Sequence, residues 1–363
     1  MSQSDPDPPA SGVASRVATF RALATVAAVF IILAGLRAAA DIIIPVLLAV
    51  FLAVFAMPPV NWLQRRGVPD WLAVLIVFVG VLVAFGLVST FVVGSINDFR
   101  EALPVYEAKL AATTGDAAGW LSSLGLEFST QTLTENFDGS ALMRGVGSAL
   151  GALGAMLSNT VFVLLTVGFI MAEAAGLPDK IRAATGDPNA DLKRYSEVLT
   201  SIHDYLRIKT QVSLVTGLLA AALLAGVGVD YIMLWALLTF MLNYVPTLGS
   251  IIAAVPPVLL AVVQFGWERA LVVATGYLVI NFAMGNLVEP RLMGRRLGLS
   301  SLVVFLSLVF WGWIWGPVGM LLSVPLTMLV KILLEQNDEL RWLAVLLGSG
   351  AEISQRTQQG DAR

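Results

Sequence analysis

Cysteine is absent from the 363 residues of this chain, and histidine occurs once, at His203. The chain therefore has no disulfide, no thiolate nucleophile and no cysteine-built metal site, and one histidine argues against a Ser-His-Asp triad or a histidine metal centre. Charge is scarce too, since 13% of the residues are charged, against about a quarter in soluble domains. So little polar material does not cover a protein in water, and a net charge of −3 offers no basic patch for nucleic acid.

Motifs of enzymatic chemistry are also missing. The sequence has no P-loop, no G-x-S-x-G, no H-E-x-x-H and no paired acidic metal motif. We therefore predict that the chain is not an enzyme, that it does not hydrolyse ATP itself, and that it needs no metal or cofactor.

Apolar sequence is what the chain has in excess, with 57% hydrophobic residues. Several apolar runs reach about 18 residues, the length that crosses a bilayer as a helix. The runs lack the alternating polarity of a membrane strand. We predict an all-α polytopic integral membrane protein with apolar segments near 22–36, 42–57, 71–93, 151–172, 211–229, 231–263, 270–288 and 301–333.

The two longest apolar segments each contain turn-forming residues near their middle. Proline removes a helix donor and glycine permits unusual backbone angles, so each segment is expected to fold as a helical hairpin. The breaks hold Pro246 and Gly249 in the first segment, and Gly316, Pro317 and Gly319 in the second. Each hairpin follows a span, and the two units enter from opposite sides, as in inverted-repeat transporters. Hydropathy leaves open whether the hairpins are re-entrant or cross the bilayer fully.

Charge predicts the orientation, because basic residues favour cytoplasmic loops. The basic loops carry Arg65, Arg66, Lys180, Arg182, Lys193, Arg194, Arg207, Lys209, Arg291, Arg295, Arg296 and Arg341. Residues 94–150 are acidic and belong outside, which puts both termini in the cytoplasm. The predicted regions are a disordered tail (1–15), three transmembrane helices (16–93), a small extracytoplasmic helical domain (94–150), a fourth span with a cytoplasmic amphipathic helix (151–210), a core of two span-and-hairpin units (211–338) and a cytoplasmic tail (339–363).

Glu289 is the strongest candidate for a functional charge, because ionisable groups inside lipid cost about 2.5–3.5 kcal/mol to insert. Asn286 lies three residues earlier and so shares a helix face with Glu289. Asn281 lies roughly 140° around the helix from Asn286 and joins that face only if the helix unwinds. Pro290 is expected to stop the helix and free backbone carbonyls. Such a helix end suits a cation, a proton or a hydroxyl-bearing solute.

A purely structural role is the alternative for each candidate. Glu289 would form a salt bridge to Arg291, Arg295 or Arg296 that merely fixes the loop. The first hairpin tip supplies Asn243 and Thr247, which we expect at a solute or ion site, although an asparagine there is also a helix cap. The pair Gly312 and Gly316 has the spacing of close helix packing.

Three stretches carry a family resemblance: FLAVFAMPPVNWLQRRGVP at 51–69, YVPTLGSIIAAVPPVLLAV at 244–262 and VEPRLMGRRLGLSSLVVFLSLVFWGWIWGPVGMLLSVPLTMLV at 288–330. Together they resemble the autoinducer-2 exporter (AI-2E) family over nearly the whole chain, least in 94–150. The matching positions are Pro246, Gly249, Pro290, Gly294, Leu297, Leu299, Trp311, Gly312, Gly316, Gly319 and Pro325.

The resemblance implies a transporter of the bacterial inner membrane with both ends cytoplasmic. Family members are associated with export of autoinducer-2, a quorum-sensing signal, or with sodium/proton antiport. We expect a secondary transporter that exports a small polar, autoinducer-2-like solute through a site between the two hairpin tips. The alternatives are a sodium (lithium)/proton antiporter that uses Glu289, and a non-transporting envelope scaffold that binds partners through 94–150. We also expect a homo-oligomer, held through the first four segments and the outer helices.

Overall fold

The computed structural model describes residues 11–123, 139–158, 160–174, 180, 192–293, 299–335 and 339–348. Regular structure in these ranges is entirely helical, and six of their helices are long and apolar enough to cross a membrane. The predicted class, an all-α polytopic membrane protein, is confirmed. The predicted tail 1–15 lies mostly outside the described residues, as does 339–363 beyond residue 348.

The N-terminal half consists of five helices: α1 (Ser11–Ala38), α2 (Ala40–Arg65), α3 (Asp70–Ser123), α4 (Gly139–Ser158) and α5 (Val161–Ala174). The first three predicted spans lie inside α1, α2 and α3. With 54 residues, α3 is about 81 Å long, so it continues far beyond a hydrocarbon core of about 30 Å. The region predicted as a separate helical domain, 94–150, therefore begins as an uninterrupted extension of the third span.

The predicted fourth span, 151–172, falls on two helices instead of one. Helix α4 ends at Ser158 and α5 begins at Val161. The sequence between them contains Asn159 and Thr160, whose side chains favour helix ends over helix interiors. Hydropathy averages over such a short polar break and does not detect it.

The C-terminal half consists of α6 (Leu192–Val227), α7 (Ile232–Leu242), α8 (Leu248–Phe265), α9 (Trp267–Phe282), a π-helical segment (Ala283–Val288), α10 (Glu289–Met293), α11 (Ser301–Glu335) and α12 (Arg341–Leu347). Helices α7 and α8 are the two arms of the first hairpin. Helix α11 contains both arms of the second.

The first hairpin reverses direction at residues 243–247. Thr247 has a positive φ of 57° and a ψ of −53°, and the Leu248 amide donates to the Pro246 carbonyl at 2.6 Å, which closes a tight turn across Thr247. A Cβ at Gly249 would collide with the Leu242 carbonyl oxygen. Glycine is therefore required where the two arms meet.

The second hairpin is shown by contacts between residues far apart in α11. The Trp311 indole donates to the Thr327 hydroxyl at 3.0 Å, although 16 residues of straight helix would separate them by about 24 Å. The chain bends at Trp315 and at Gly316, whose φ is +61°. The first arm spans about 21 Å and α7 about 16 Å, both shorter than the hydrocarbon core. Helix α8, by contrast, is long and apolar enough to cross a membrane. The hairpins therefore each contain one arm too short for a full crossing.

The structure corrects the prediction that Pro290 stops its helix. The helix instead widens to π geometry over Ala283–Val288 and then continues as α10 through Pro290 to Met293. Proline lacks an amide hydrogen and its ring clashes with the carbonyl four residues earlier. A wider turn relieves that clash, and π segments commonly occur at functional sites.

Helix α6 defines two ends of the bundle, which we call the Lys209 end and the Asp230 end. At the Lys209 end, Tyr205 and Leu206 of α6 pack with Met293 and with both arms of the second hairpin. At the Asp230 end, the last turns of α6 pack against α3 and the first hairpin, with Phe99 and Trp235 fully buried.

Candidate functional site

Polar side chains follow one buried face of α6. Lys209, Ser213 and Thr216 recur at the spacing of one helix face, and they are 3%, 0% and 0% exposed. Burial of a polar group is costly unless it is hydrogen-bonded, and burial of a charge is costlier still. The hydrogen-bond and ion-pair partners of these side chains therefore show which elements pack against this face of α6.

Lys209 forms an ion pair with Glu289. Its ammonium Nζ lies 2.7 Å from Glu289 Oε1, and the two side chains are 4% and 20% exposed. Helix α6 supplies the lysine and α10 the carboxylate, 80 residues apart in sequence. Removal of either partner would leave the other charge buried without compensation.

The tip of the first hairpin is bonded to the same face of α6. Asn243 donates its side-chain amide to the Ser213 hydroxyl at 2.9 Å. One helical turn closer to Lys209, the Tyr244 hydroxyl donates to the Thr210 hydroxyl at 2.7 Å. Asn243 is thus a cross-link between helices and does not cap α8, whose N-terminus has no side-chain cap.

A last polar pair continues the line toward the Asp230 end. The hydroxyls of Thr239 on α7 and Tyr277 on α9 are 3.2 Å apart, and both residues are buried. Twelve residues separate Tyr277 from Glu289, about 18 Å along the helix. We call the whole line the polar seam: Lys209, Thr210, Ser213, Thr216, Thr239, Asn243, Tyr244, Tyr277 and Glu289.

The structure brings some of the predicted site residues together and separates others. Asn243 and Glu289 both lie in the polar seam. Asn281 donates to the Ser250 carbonyl of the first hairpin at 3.3 Å, and its buried Oδ1 has no partner among the described residues. Asn286 is exposed and lies in the π segment, with no bond to Glu289 shown. Thr247 is also exposed and bonds its own turn.

The structure gives Glu289 a salt-bridge partner that the sequence did not suggest. That partner is Lys209, whereas Arg291 is exposed. Arg295 and Arg296, the other arginines considered, lie outside the described residues, as does Gly294. Lys209 had been assigned to a cytoplasmic loop, but it is buried in α6. The available signal is its spacing from Ser213 and Thr216, which puts the three side chains on one helix face.

The two hairpin tips, which we expected to face each other, contact different helices. The first tip bonds α6 through Asn243. The second tip packs against α1 and α2, and the Trp315 indole donates to the Leu36 carbonyl at 3.1 Å. Trp311, Ile314 and Trp315 fill the second tip and suit apolar surroundings, so of the two tips only the first contributes to the polar seam.

The polar seam contains hydroxyl, amide and phenol groups and one pair of opposite charges, Lys209 and Glu289, which neutralise each other. Such groups exchange hydrogen bonds with an uncharged polar molecule without creating an unpaired charge. Within the described ranges, no three His, Asp or Glu side chains come together as metal ligands.

Comparison with known proteins finds relatives over most of the chain. The family model described as AI-2E family transporter matches residues 23–338. The AI-2 transport protein TqsA of Escherichia coli (strain K12) is 42% identical over 317 residues, 87% of this chain and 92% of TqsA. A protein of Haemophilus influenzae, provisionally named a transport protein, is 42% identical over 338 residues, 90% of this chain and 96% of its own. The resemblance seen in the sequence is confirmed.

Proposed function

The chain belongs to the AI-2E family of transporters, and we propose that it is a secondary transporter that moves a small polar solute along the polar seam. The observation that carries this proposal is the seam itself: nine polar side chains from α6, the first hairpin, α9 and α10 that meet along one line. Buried polar groups inside a membrane protein commonly mark a solute or ion pathway. The site therefore lies between α6, the first hairpin and α9, not between two hairpin tips.

The groups of the seam favour an uncharged solute that carries several hydroxyls. Ser213, Thr239 and Tyr277 both donate and accept hydrogen bonds, and Asn243 adds an amide. A charged solute would have to displace Lys209 or Glu289 from its partner, which is expensive. An autoinducer-2-like molecule fits this class, and the name of TqsA, a relative, points to the same solute.

The test is export of autoinducer-2 from proteoliposomes that contain purified protein. Asn243→Ala should reduce flux by about tenfold, because it removes a group on the path and leaves Ser213 unpaired. Glu289→Gln should reduce it at least as much. The matched control is Asn286→Ala, an exposed amide on the same helical segment as Glu289, and it should transport normally.

Unchanged flux in both Asn243→Ala and Glu289→Gln would remove the polar seam from the pathway. Loss of flux in Asn286→Ala as well would indicate a general folding defect, and the seam would then have no specific role. Other small neutral polyols, such as ribose, should compete with autoinducer-2 more strongly than anions of the same size.

We place the protein in the bacterial inner membrane with the Lys209 end and both termini in the cytoplasm. Arg65, Arg66, Arg207, Arg291 and Arg341 are exposed or partly exposed and lie at this end, as the distribution of basic residues in inner-membrane proteins requires. Thiol labelling of single cysteines placed after Arg66 and at Glu268, an exposed residue at the Asp230 end, tests this, since only the second should react with an impermeant reagent in intact cells.

A sodium (lithium)/proton antiporter is the second candidate, because Glu289 is a partly buried carboxylate. In that mechanism a cation or a proton must replace the Lys209 ammonium during each cycle. A sodium or lithium gradient imposed on proteoliposomes would then change internal pH, and Lys209→Met would alter that response. A pH change without autoinducer-2 flux would favour the antiporter.

Association of several copies is the remaining expectation. Large apolar side chains on the outer faces of the first helices and α5 are exposed, among them Phe30, Ile31, Phe162 and Phe169. These faces suit lipid or a second copy of the chain. Chemical cross-linking in native membranes, followed by mass measurement, distinguishes the two.

A further inference from the structure

Four aromatic rings, which we call the aromatic plug, lie at the Asp230 end of the polar seam. The last polar pair, Thr239 and Tyr277, is followed one turn later by Trp235, which is fully buried. Phe99 of α3 packs edge-on against Trp235, with ring centroids 5.3 Å apart. Phe99 also contacts Tyr106 and Tyr231, at 6.1 Å and 5.7 Å. The four rings form one cluster at this end of the seam.

A polar link around Asp230 lies directly over these rings. The Tyr106 hydroxyl donates to Asp230 Oδ2 at 3.2 Å, and the Gln264 side-chain amide donates to the same oxygen. The Asp230 amide in turn donates to Gln264 Oε1 at 3.2 Å. The Trp235 indole donates to the Asp230 carbonyl at 3.0 Å. Two rings of the plug, Tyr106 and Trp235, are thus hydrogen-bonded to Asp230.

The hydrogen bonds around Asp230 join α3 to the first hairpin. Tyr106 and Phe99 belong to α3, which leads into the N-terminal half. Asp230 and Trp235 lie at the base of the first hairpin, and Gln264 ends the second arm of the same hairpin. A single carboxylate therefore holds both arms to α3. The Tyr231 hydroxyl adds a bond to the Asp98 carbonyl at 3.3 Å.

We propose that Tyr106, Asp230 and Gln264 form the gate at the Asp230 end of the polar seam, and that α3 must move away from the first hairpin to open it. This inference rests on the proposed function in that the seam is taken as a pathway. The Lys209–Glu289 pair closes the seam at its other end. The two ends are thus closed by different chemistry, an ion pair at one and an aromatic plug held by a hydrogen-bonded carboxylate at the other.

The absence of cysteine makes the gate directly measurable. Thr216→Cys places the only thiol of the chain within the polar seam, at a buried position whose hydroxyl bonds only its own helix, at the Val212 carbonyl. The rate at which an impermeant maleimide labels this thiol reports access to the seam. Labelling is measured separately in right-side-out and inverted vesicles, so the side of entry is known.

With the gate intact, labelling should be slow from both sides. Asp230→Asn should accelerate labelling by about tenfold from the Asp230 side only, because it removes the charge that accepts both hydrogen bonds. Tyr106→Phe keeps the ring in the plug and removes one donor, so it should give a smaller acceleration. The matched control is Glu268→Gln, an exposed acid at the start of α9, which should leave the rate unchanged.

Equal labelling rates in Asp230→Asn, Tyr106→Phe and the parent would overturn the gate, as would equal acceleration from both sides or in Glu268→Gln. Thermal unfolding of each variant in detergent identifies a general loss of structure. If Asp230→Asn unfolds early, Tyr106→Phe decides the question. Labelling needs no transported solute, so the gate stands or falls independently of the flux measurements on Asn243 and Glu289.

Discussion

The two hairpins share one way of reversing the chain and differ in what their tips contact. In both, a glycine lets the arms approach closely: Gly249 meets the Leu242 carbonyl, and Gly319 meets the Trp311 carbonyl. The first tip is polar and bonds α6 in the polar seam. The second tip is aromatic and bonds α1 through Trp315.

This difference indicates that the two hairpins have different roles although they fold alike. The tip of the first hairpin holds its neighbour through hydrogen bonds that a polar solute is able to replace. The tip of the second buries Trp311 and Trp315 against apolar side chains, and no solute replaces that packing at low cost. The first hairpin therefore suits a moving part, and the second suits a support.

The largest effect is expected at the polar seam, from Lys209→Met. The variant leaves the Glu289 carboxylate buried without its partner, which should lower the free energy of unfolding by about 3–5 kcal/mol. The double variant Lys209→Met with Glu289→Leu should recover most of that loss and still not transport. Thermal unfolding in detergent measures the stability. Equal stability of the single and double variants would contradict a coupled pair.

Close approach of the arms is tested next, by Gly319→Ala in the second hairpin and Gly249→Ala in the first. In each variant a methyl group meets a backbone carbonyl, so we expect a loss of about 1–3 kcal/mol. The control is Gly285→Ala, where nothing lies within 4 Å of the added carbon. A stable Gly319→Ala protein would show that the second hairpin is looser than described.

A matched pair of hydrogen bonds separates the roles of the hairpins. Asn243→Ala and Thr327→Val each remove one buried bond, to Ser213 and from Trp311. Both should cost about 1 kcal/mol of stability. Only Asn243→Ala should also lower flux in proteoliposomes. Similar flux losses in the two variants would end the distinction between a moving and a supporting hairpin.

The smallest effect is expected from Arg37→Gln. The Arg37 guanidinium lies 5.3 Å from the centre of the Trp313 ring in the second hairpin. Its loss should cost about 0.5–1 kcal/mol and leave flux unchanged, because several other contacts anchor this tip. A marked fall in flux would assign the second hairpin a direct part in transport.

Much of the fold could be predicted from the sequence because it is encoded locally. Apolar runs of bilayer length determine the spans, and prolines with glycines determine where the hairpins turn, as at Pro246 and Gly316. Helix pairing is different. The partner of Glu289 lies 80 residues away, and neither periodicity nor composition identifies it.

Two further differences between the predicted and the observed helices have local causes, which an average of hydropathy over many residues does not detect. The break between α4 and α5 depends on a few polar residues within an apolar run. The π segment before Pro290 gives the proline ring room that a regular α-helical turn would not, so the helix continues through it. Of the candidate site, Asn243 and Glu289 could be predicted as polar residues in lipid, whereas Tyr277 and Thr239 could not, since each resembles an ordinary core residue by itself.

Helix α3 has a mechanical consequence. It runs without interruption from Asp70, beside the α2–α3 turn, to Phe99 in the plug, a distance of about 44 Å. A tilt of about 5° at Asp70 would swing Phe99 sideways by about 4 Å, the width of a ring contact. If α3 moves as a rigid rod, a small rearrangement near Arg65 is therefore enlarged where Phe99 meets Trp235.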